Sequence, residues 1–258
     1  MTHVMVPDGV LPWWLSAAGW VLAAVLLGLS LWRLRGVEAS RMVPLVGVMT
    51  ALMVVIMSVE LVPIGYELHL TALTGMVVGP WFGVIAALLF NVMRALVGDG
   101  AFTNIGLNTT ITWLEIALGA ALFAALRPLL LTRRPALAAG LATFASLLLA
   151  TVAFIGVVFL STADPGQLVH TGAYDVAAGG FRESPFAEGV LGVHLSEAHE
   201  SEAGGGAETV SAGFGPFAVA VLVLGAVGAT IEAVLTGAVV AFIARVRPEL
   251  LRVPASPA

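Results

Sequence analysis

Apolar runs long enough to cross a bilayer follow one another through most of this chain, and that continuity limits its fold more than any other feature. A membrane helix needs about 20 mostly apolar residues to cover a hydrocarbon core of roughly 30 Å. Runs of this kind fall at about 12–32, 42–61, 68–79, 81–97, 104–126, 136–160 and 214–244. They are divided by connections bearing Arg, or Gly, Pro and Asp, the residues that punctuate helices. Of the 258 residues only 10% are charged and 59% are hydrophobic, where a soluble domain carries roughly 25% charged residues. The expected fold is all-α: a polytopic helical bundle with seven transmembrane helices, residues 1–258 forming a single integral membrane domain. The first run is longer than the core of a signal peptide and no Lys or Arg precedes it, so it is read as a retained helix.

The count of seven depends on a break at Gly79-Pro80, and arginine placement decides for it. With two crossings between residues 68 and 97, three arginine groups share one side: Arg33, Arg35 and Arg41; Arg127, Arg133 and Arg134; Arg245, Arg247 and Arg252. With one kinked crossing they would split between the two faces. Short-loop arginine marks the cytoplasmic side, which sets the N-terminus outside and the C-terminus in the cytoplasm. Segment 68–79 is too short for a straight span, so the chain before it is expected to dip inward, giving residues 62–69 access to the interior.

The same orientation puts all five histidines (His3, His69, His170, His194 and His199) on the outer side. Acidic residues gather there as well, in the Gly-rich connection 161–213, which has too few apolar side chains for a core of its own. It is read as a long flexible external loop inserted before the last helix. No repeat of fixed period is visible. The net charge of −5 and the scattered arginines argue against nucleic acid as a partner.

With no cysteine in the chain, a metal ion would have to be held by nitrogen or oxygen. The opening residues, Met1-Thr2-His3-Val4-Met5-Val6-Pro7-Asp8-Gly9, place an imidazole close to a free amine. Amine and imidazole can chelate one ion, and displacement of the intervening amide proton gives a planar all-nitrogen site that suits Ni(II) or Cu(II). If Met1 is removed, the Thr2 amine, His3 amide and His3 ring fill three corners, and His69 is the histidine outside the long loop left to supply a fourth. If Met1 is retained, its amine, two amides and His3 already make four nitrogens, and His69 moves to an axial or supporting role. Pro7-Asp8-Gly9 also reads as a turn, and Trp13-Trp14 as interfacial anchors.

Several separate stretches, in order, carry a family resemblance: His3, Pro7 to Gly9 and Trp13-Trp14; His69-Leu70 through Gly79-Pro80-Trp81; Gly98-Asp99-Gly100 with Gly106 and Asn108; and Glu232 with Arg245-Val246-Arg247-Pro248-Glu249-Leu250. Together they resemble the CbiM/NikM group of energy-coupling-factor transporter S components, over nearly the whole chain outside 161–213. The resemblance implies a six-helix S-component core with one extra N-terminal helix, whose terminal nitrogens enter the core and bind Ni(II) or Co(II) with a loop histidine. On this chain the metal ligands would be Thr2, His3 and His69, with Met1 if it is retained. It also implies partners: a membrane coupling protein (the T component), two ATP-binding subunits that power release inward, and a small accessory membrane subunit. The chain itself has no GxxxxGK[ST] phosphate loop, so ATP hydrolysis is expected on other chains.

The chain departs from the family pattern in three places. Thr2 stands between the initiator Met and the histidine that usually follows it directly. The family's Asn ahead of the metal loop corresponds here to Val59 or Glu60, and its Gln before Gly-Asp-Gly to Met93. Hydrogen bonds behind the ligands orient them, so Asp8, Glu60, Glu67, Met93 and Asn108 are the candidates for that supporting role. The loop 161–213 is not part of the family's common form.

Arg94, Glu115 and Glu232 fall inside predicted spans, where an unpaired charge costs at least about 2.5 to 3.5 kcal/mol, so each is expected to have a partner. Arg94 is expected to snorkel or to pair with Asp99, Glu115 or another outer carboxylate, and Glu232 to form an ion pair or a backbone hydrogen bond, with a role in the ion path as the alternative. His170, His194 and His199 with Glu197, Glu200 and Glu202 would at most collect divalent ions weakly at an outer mouth. The competing function is an ion channel or secondary carrier for divalent cations, lined by the buried charges and working without ATPase subunits. An intramembrane metalloenzyme is not expected, since no H-E-x-x-H spacing occurs.

Overall fold

In a computed structural model of the chain, residues 13–36, 39–57, 60–61, 66–97, 101–127, 134–161 and 214–251 are described. They form helices α1 (Trp13–Arg33), α2 (Ala39–Met57), α3 (Thr71–Val97), α4 (Ile105–Leu126), α5 (Pro135–Ser161) and α6 (Phe214–Val246), followed by a 3-10 turn, Pro248–Leu251. Between α2 and α3 lie two short antiparallel strands, β1 (Glu60–Leu61) and β2 (Tyr66–Glu67), with Glu60 opposite Glu67 and Leu61 opposite Tyr66. The expected long loop falls outside the described residues, apart from Ser161, which closes α5.

Five of these helices, α1, α3, α4, α5 and α6, contain stretches long and apolar enough to cross a membrane, while α2 offers a shorter one, Met42–Met57. The predicted seven separate crossings do not appear as seven helices among the described residues, because segments 68–79 and 81–97 run together as α3. The predicted break is nonetheless present as a change of backbone direction. Gly79 is non-helical, with φ 78° and ψ 171°, a left-handed region that glycine enters without cost, and Pro80 disfavours helical backbone in the residue before it. Residues 71–78, the first arm, rise only about 12 Å at 1.5 Å per residue, well short of a bilayer core. The all-helical fold class holds; the local difference is that the run expected to be helical to residue 61 ends at Met57, with Glu60–Leu61 paired instead to Tyr66–Glu67.

Side chains of neighbouring helices donate to the carbonyls that open the second arm of α3, just after the kink. Trp113 Nε1 on α4 donates to the Pro80 carbonyl at 3.0 Å, and Ser30 Oγ on α1 donates to the Trp81 carbonyl at 2.7 Å. Arg33 adds its guanidinium 5.4 Å from the Trp81 ring centroid. At the other end of α1, Ser16 Oγ donates to Asn104 Oδ1 at 2.6 Å and Trp20 Nε1 to the Thr103 carbonyl at 3.0 Å. Helix α1 is thus fastened at both ends, to the segment before α4 and to the second arm of α3.

Helix α3 occupies the centre of the bundle, with Leu73, Met76, Val78, Phe82 and Phe90 buried. Lipid tails are as apolar as leucine, so packing in a membrane depends on close approach between small residues. Gly75 and Gly83 of α3 both lie against Ile116 of α4, and Gly119 of α4 lies against Ala72. Between α5 and α6 the same device recurs, Gly140 against Ala233 and Gly237 against Ala136.

Candidate metal centre

Leu68 and Leu70 are buried and His69 between them is half-buried, so the chain just before α3 does enter the protein. Leu70 has φ 53°, the one positive φ at a residue other than glycine among the described residues. Its carbonyl accepts the first bonds of α3, from the Thr74 amide at 2.9 Å and the Thr74 hydroxyl at 3.0 Å. Its amide donates in the opposite direction, to Oε1 of Glu232 at 2.7 Å, and the His69 amide approaches Oε2 at 3.4 Å. Glu232 is fully buried in the interior of α6. The helix from residue 232 to its end at Val246 rises about 21 Å, so the His69-Leu70 turn is met well inside the bundle and not at its rim.

A second carboxylate completes this buried polar region. Glu115 of α4 stands beside Thr71 and within electrostatic reach of Glu232. Asn91, on the second arm of α3, is also buried, its Nδ2 donating to the Ala87 carbonyl at 2.9 Å and to Thr112 Oγ1 at 3.2 Å. Arg94 is buried as well, its guanidinium 5.8 Å from the Phe90 ring centroid; Asp99, one partner expected for it, lies outside the described residues.

The other predicted site residues are distributed as follows. Met1, Thr2, His3 and Asp8 lie outside the described residues, as do His170, His194 and His199. Glu60 and Glu67 are brought opposite one another by the β pair that precedes His69. Asn108 is buried near the start of α4, its amide bonded to the Asn104 carbonyl at 2.9 Å. Met93, at 45% exposure, is turned away from the interior. Among the described residues no three His, Asp or Glu side chains converge in a metal-holding group. The residue that sequence reasoning did not tie to this site is Glu232: it stood out as a buried charge in need of a partner, but backbone amides carry no sequence signature by which that partner could be found.

Comparison with known proteins places these features in context. A family model described as the cobalt uptake substrate-specific transmembrane region matches residues 5–250. A crystal structure of a transition metal transporter superposes with TM-score 0.65 at 18% identity, over 94% of this chain and 93% of that one. Another, of a truncated transition metal transporter, gives TM-score 0.63 at 18% identity, over 93% of this chain and 98% of that one. No curated protein matches at a significant level.

Proposed function

Because the chain belongs to the cobalt uptake family defined by that substrate-specific transmembrane region, and is a multi-pass membrane protein of metal transport, we propose that it is the metal-capturing S component of an energy-coupling-factor uptake transporter. It takes Ni(II) or Co(II) from the outer side and hands the ion inward when partner chains hydrolyse ATP. The observation that carries this reading is the position of His69, half-buried on a turn whose backbone is held by Glu232 of α6.

In this reading His69 shares the ion with nitrogens from the start of the chain: the His3 ring and amide with the Thr2 amine, or with the Met1 amine if that residue stays. Nitrogen ligands serve nickel and cobalt alike, and a planar set of them suits Ni(II). The partners are a membrane coupling protein, two ATP-binding subunits and a small accessory membrane subunit. The N-terminus faces outward and the arginine-bearing ends of α1, α4 and α6 face the cytoplasm.

The test is N-terminal mass spectrometry of the purified protein with elemental analysis of its bound ion, for the native chain and for His3→Ala and His69→Ala. Either substitution should abolish tight binding. Unchanged affinity in His3→Ala refutes the terminal ligand set, and autonomous ion flux without an ATP-binding subunit would favour a carrier instead.

A further inference from the structure

We infer that Glu232 is a positioning residue for His69: its buried carboxylate, by holding the amide of Leu70 and more loosely that of His69, fixes the turn from which the His69 side chain departs. The inference rests on the reading of His69 as a metal ligand and adds a residue to that site without making it a ligand.

A leucine at φ 53° occupies a region disfavoured for any residue with a Cβ, and such a conformation persists where its surroundings over-determine it. Here the surroundings do so from three directions. The Leu70 side chain is buried, its carbonyl is taken by the amide and hydroxyl of Thr74, and its amide is taken by Glu232. Successive amides around a left-handed residue form a concavity suited to an anion. The carboxylate meets it unequally, with a short bond to Leu70 and a long one to His69. Both Glu232 oxygens are therefore directed at the two residues that set the direction of the His69 Cα–Cβ bond.

The span from residue 69 to residue 232 makes this a tertiary contact between the start of α3 and the interior of α6. Deleting it frees one end of the turn while leaving the Thr74 cap intact. Metal affinity is sensitive to such supporting bonds because they fix the direction of the imidazole.

The experiment uses the full chain in detergent or nanodiscs, comparing the native protein with Glu232→Ala, Glu232→Gln and His69→Ala. Two quantities are read: backbone amide exchange of peptides covering residues 68–71 without metal, and the affinity and visible absorption spectrum of Co(II). Glu232→Ala should speed exchange at 68–71, weaken Co(II) by about tenfold or more and alter its spectrum. Glu232→Gln keeps an oxygen that can accept from Leu70, and should stay within about threefold of the native affinity. If Glu232→Ala fails to fold, Glu232→Asp, one methylene shorter, serves in its place with the same two expectations. Unchanged exchange, or faster exchange with native affinity and spectrum, overturns the inference. If His69→Ala binds Co(II) as the native chain does, the metal-site reading fails and this inference with it, whereas loss in His69→Ala without loss in the Glu232 variants overturns the inference alone.

Discussion

Gly106 of α4 lies directly against Trp20 of α1, so closely that a Cβ added to Gly106 would stand 2.5 Å from the Trp20 Cα. The reverse contact is equally tight, a Cβ on Gly19 falling 2.6 Å from that of Leu107. Two backbones therefore touch at the start of the bundle, next to the hydrogen bonds from Ser16 and Trp20 to residues 103 and 104.

Adding a methyl group at this contact should push α1 away from α4. Gly106→Ala is expected to destabilise by about 1–3 kcal/mol, the usual cost of overpacking, and to weaken metal capture as well, since α1 carries the residues proposed as ligands. Thermal unfolding in detergent measures the first effect and Co(II) titration the second. Gly47→Ala is the control: its Cβ would meet nothing within 4 Å, so the change should fall within about 0.5 kcal/mol of the native chain.

At the helix pair in the centre of the bundle, Gly75→Ala should be more damaging than Gly83→Ala. The added carbon meets the Ile116 carbonyl in the first case and the Cγ2 methyl of the Ile116 side chain in the second. A backbone carbonyl cannot rotate aside as a side-chain methyl can. Paired unfolding curves that rank the two variants in the opposite order would refute this account of the α3–α4 contact.

Histidine substitutions should separate the site from the loop. His69→Ala is expected to reduce Ni(II) or Co(II) affinity on the order of 100-fold or more, measured by equilibrium dialysis. Replacing His170, His194 and His199 together should cost only a few-fold, about 1 kcal/mol or less, as for a surface change away from any specific contact.

Metal binding should weaken in acid. Each nitrogen ligand that must lose a proton, the amine, the amide or an imidazole, makes the ion compete with protons. Affinity should therefore fall by about tenfold per pH unit for each proton displaced. A titration from neutral to mildly acidic pH with a flat affinity would exclude a ligand set built on the terminal amine and amide.

Topology can be checked in the native background, because the chain contains no cysteine. Arg35→Cys should react with a membrane-impermeant maleimide only after the cells are opened, and Ser201→Cys in intact cells. The converse labelling pattern would invert the proposed orientation.

Much of the fold was legible in the sequence because apolar run length is a property of single segments. The runs at 12–32, 104–126, 136–160 and 214–244 reappear as α1, α4, α5 and α6 with ends shifted by a few residues. Gly79-Pro80 was legible as a break for the same local reason. What escaped were the relationships that join distant residues. Helix α2 ends at Met57 and Glu60 pairs with Glu67, yet neither glutamate favours a strand on its own. Leu70 adopts a positive φ that no sequence rule assigns to leucine, and the acceptor of its amide lies on another helix at Glu232. The inward course of the chain at His69 was legible from the short apolar segment that follows it, while the other proposed ligands, Thr2 and His3 with Met1 if it is retained, belong to a stretch outside the described residues.

The double fastening of α1 gives the residues ahead of it a fixed root. From Trp13 back to His3 an extended chain can reach at most roughly 35 Å, at 3.3–3.6 Å per residue, measured from a point held in place by Ser16 and Trp20. That leash is long enough to fold back to mid-bundle depth. Shortening it residue by residue between Val4 and Pro12 would therefore act as a ruler for the depth of the proposed site.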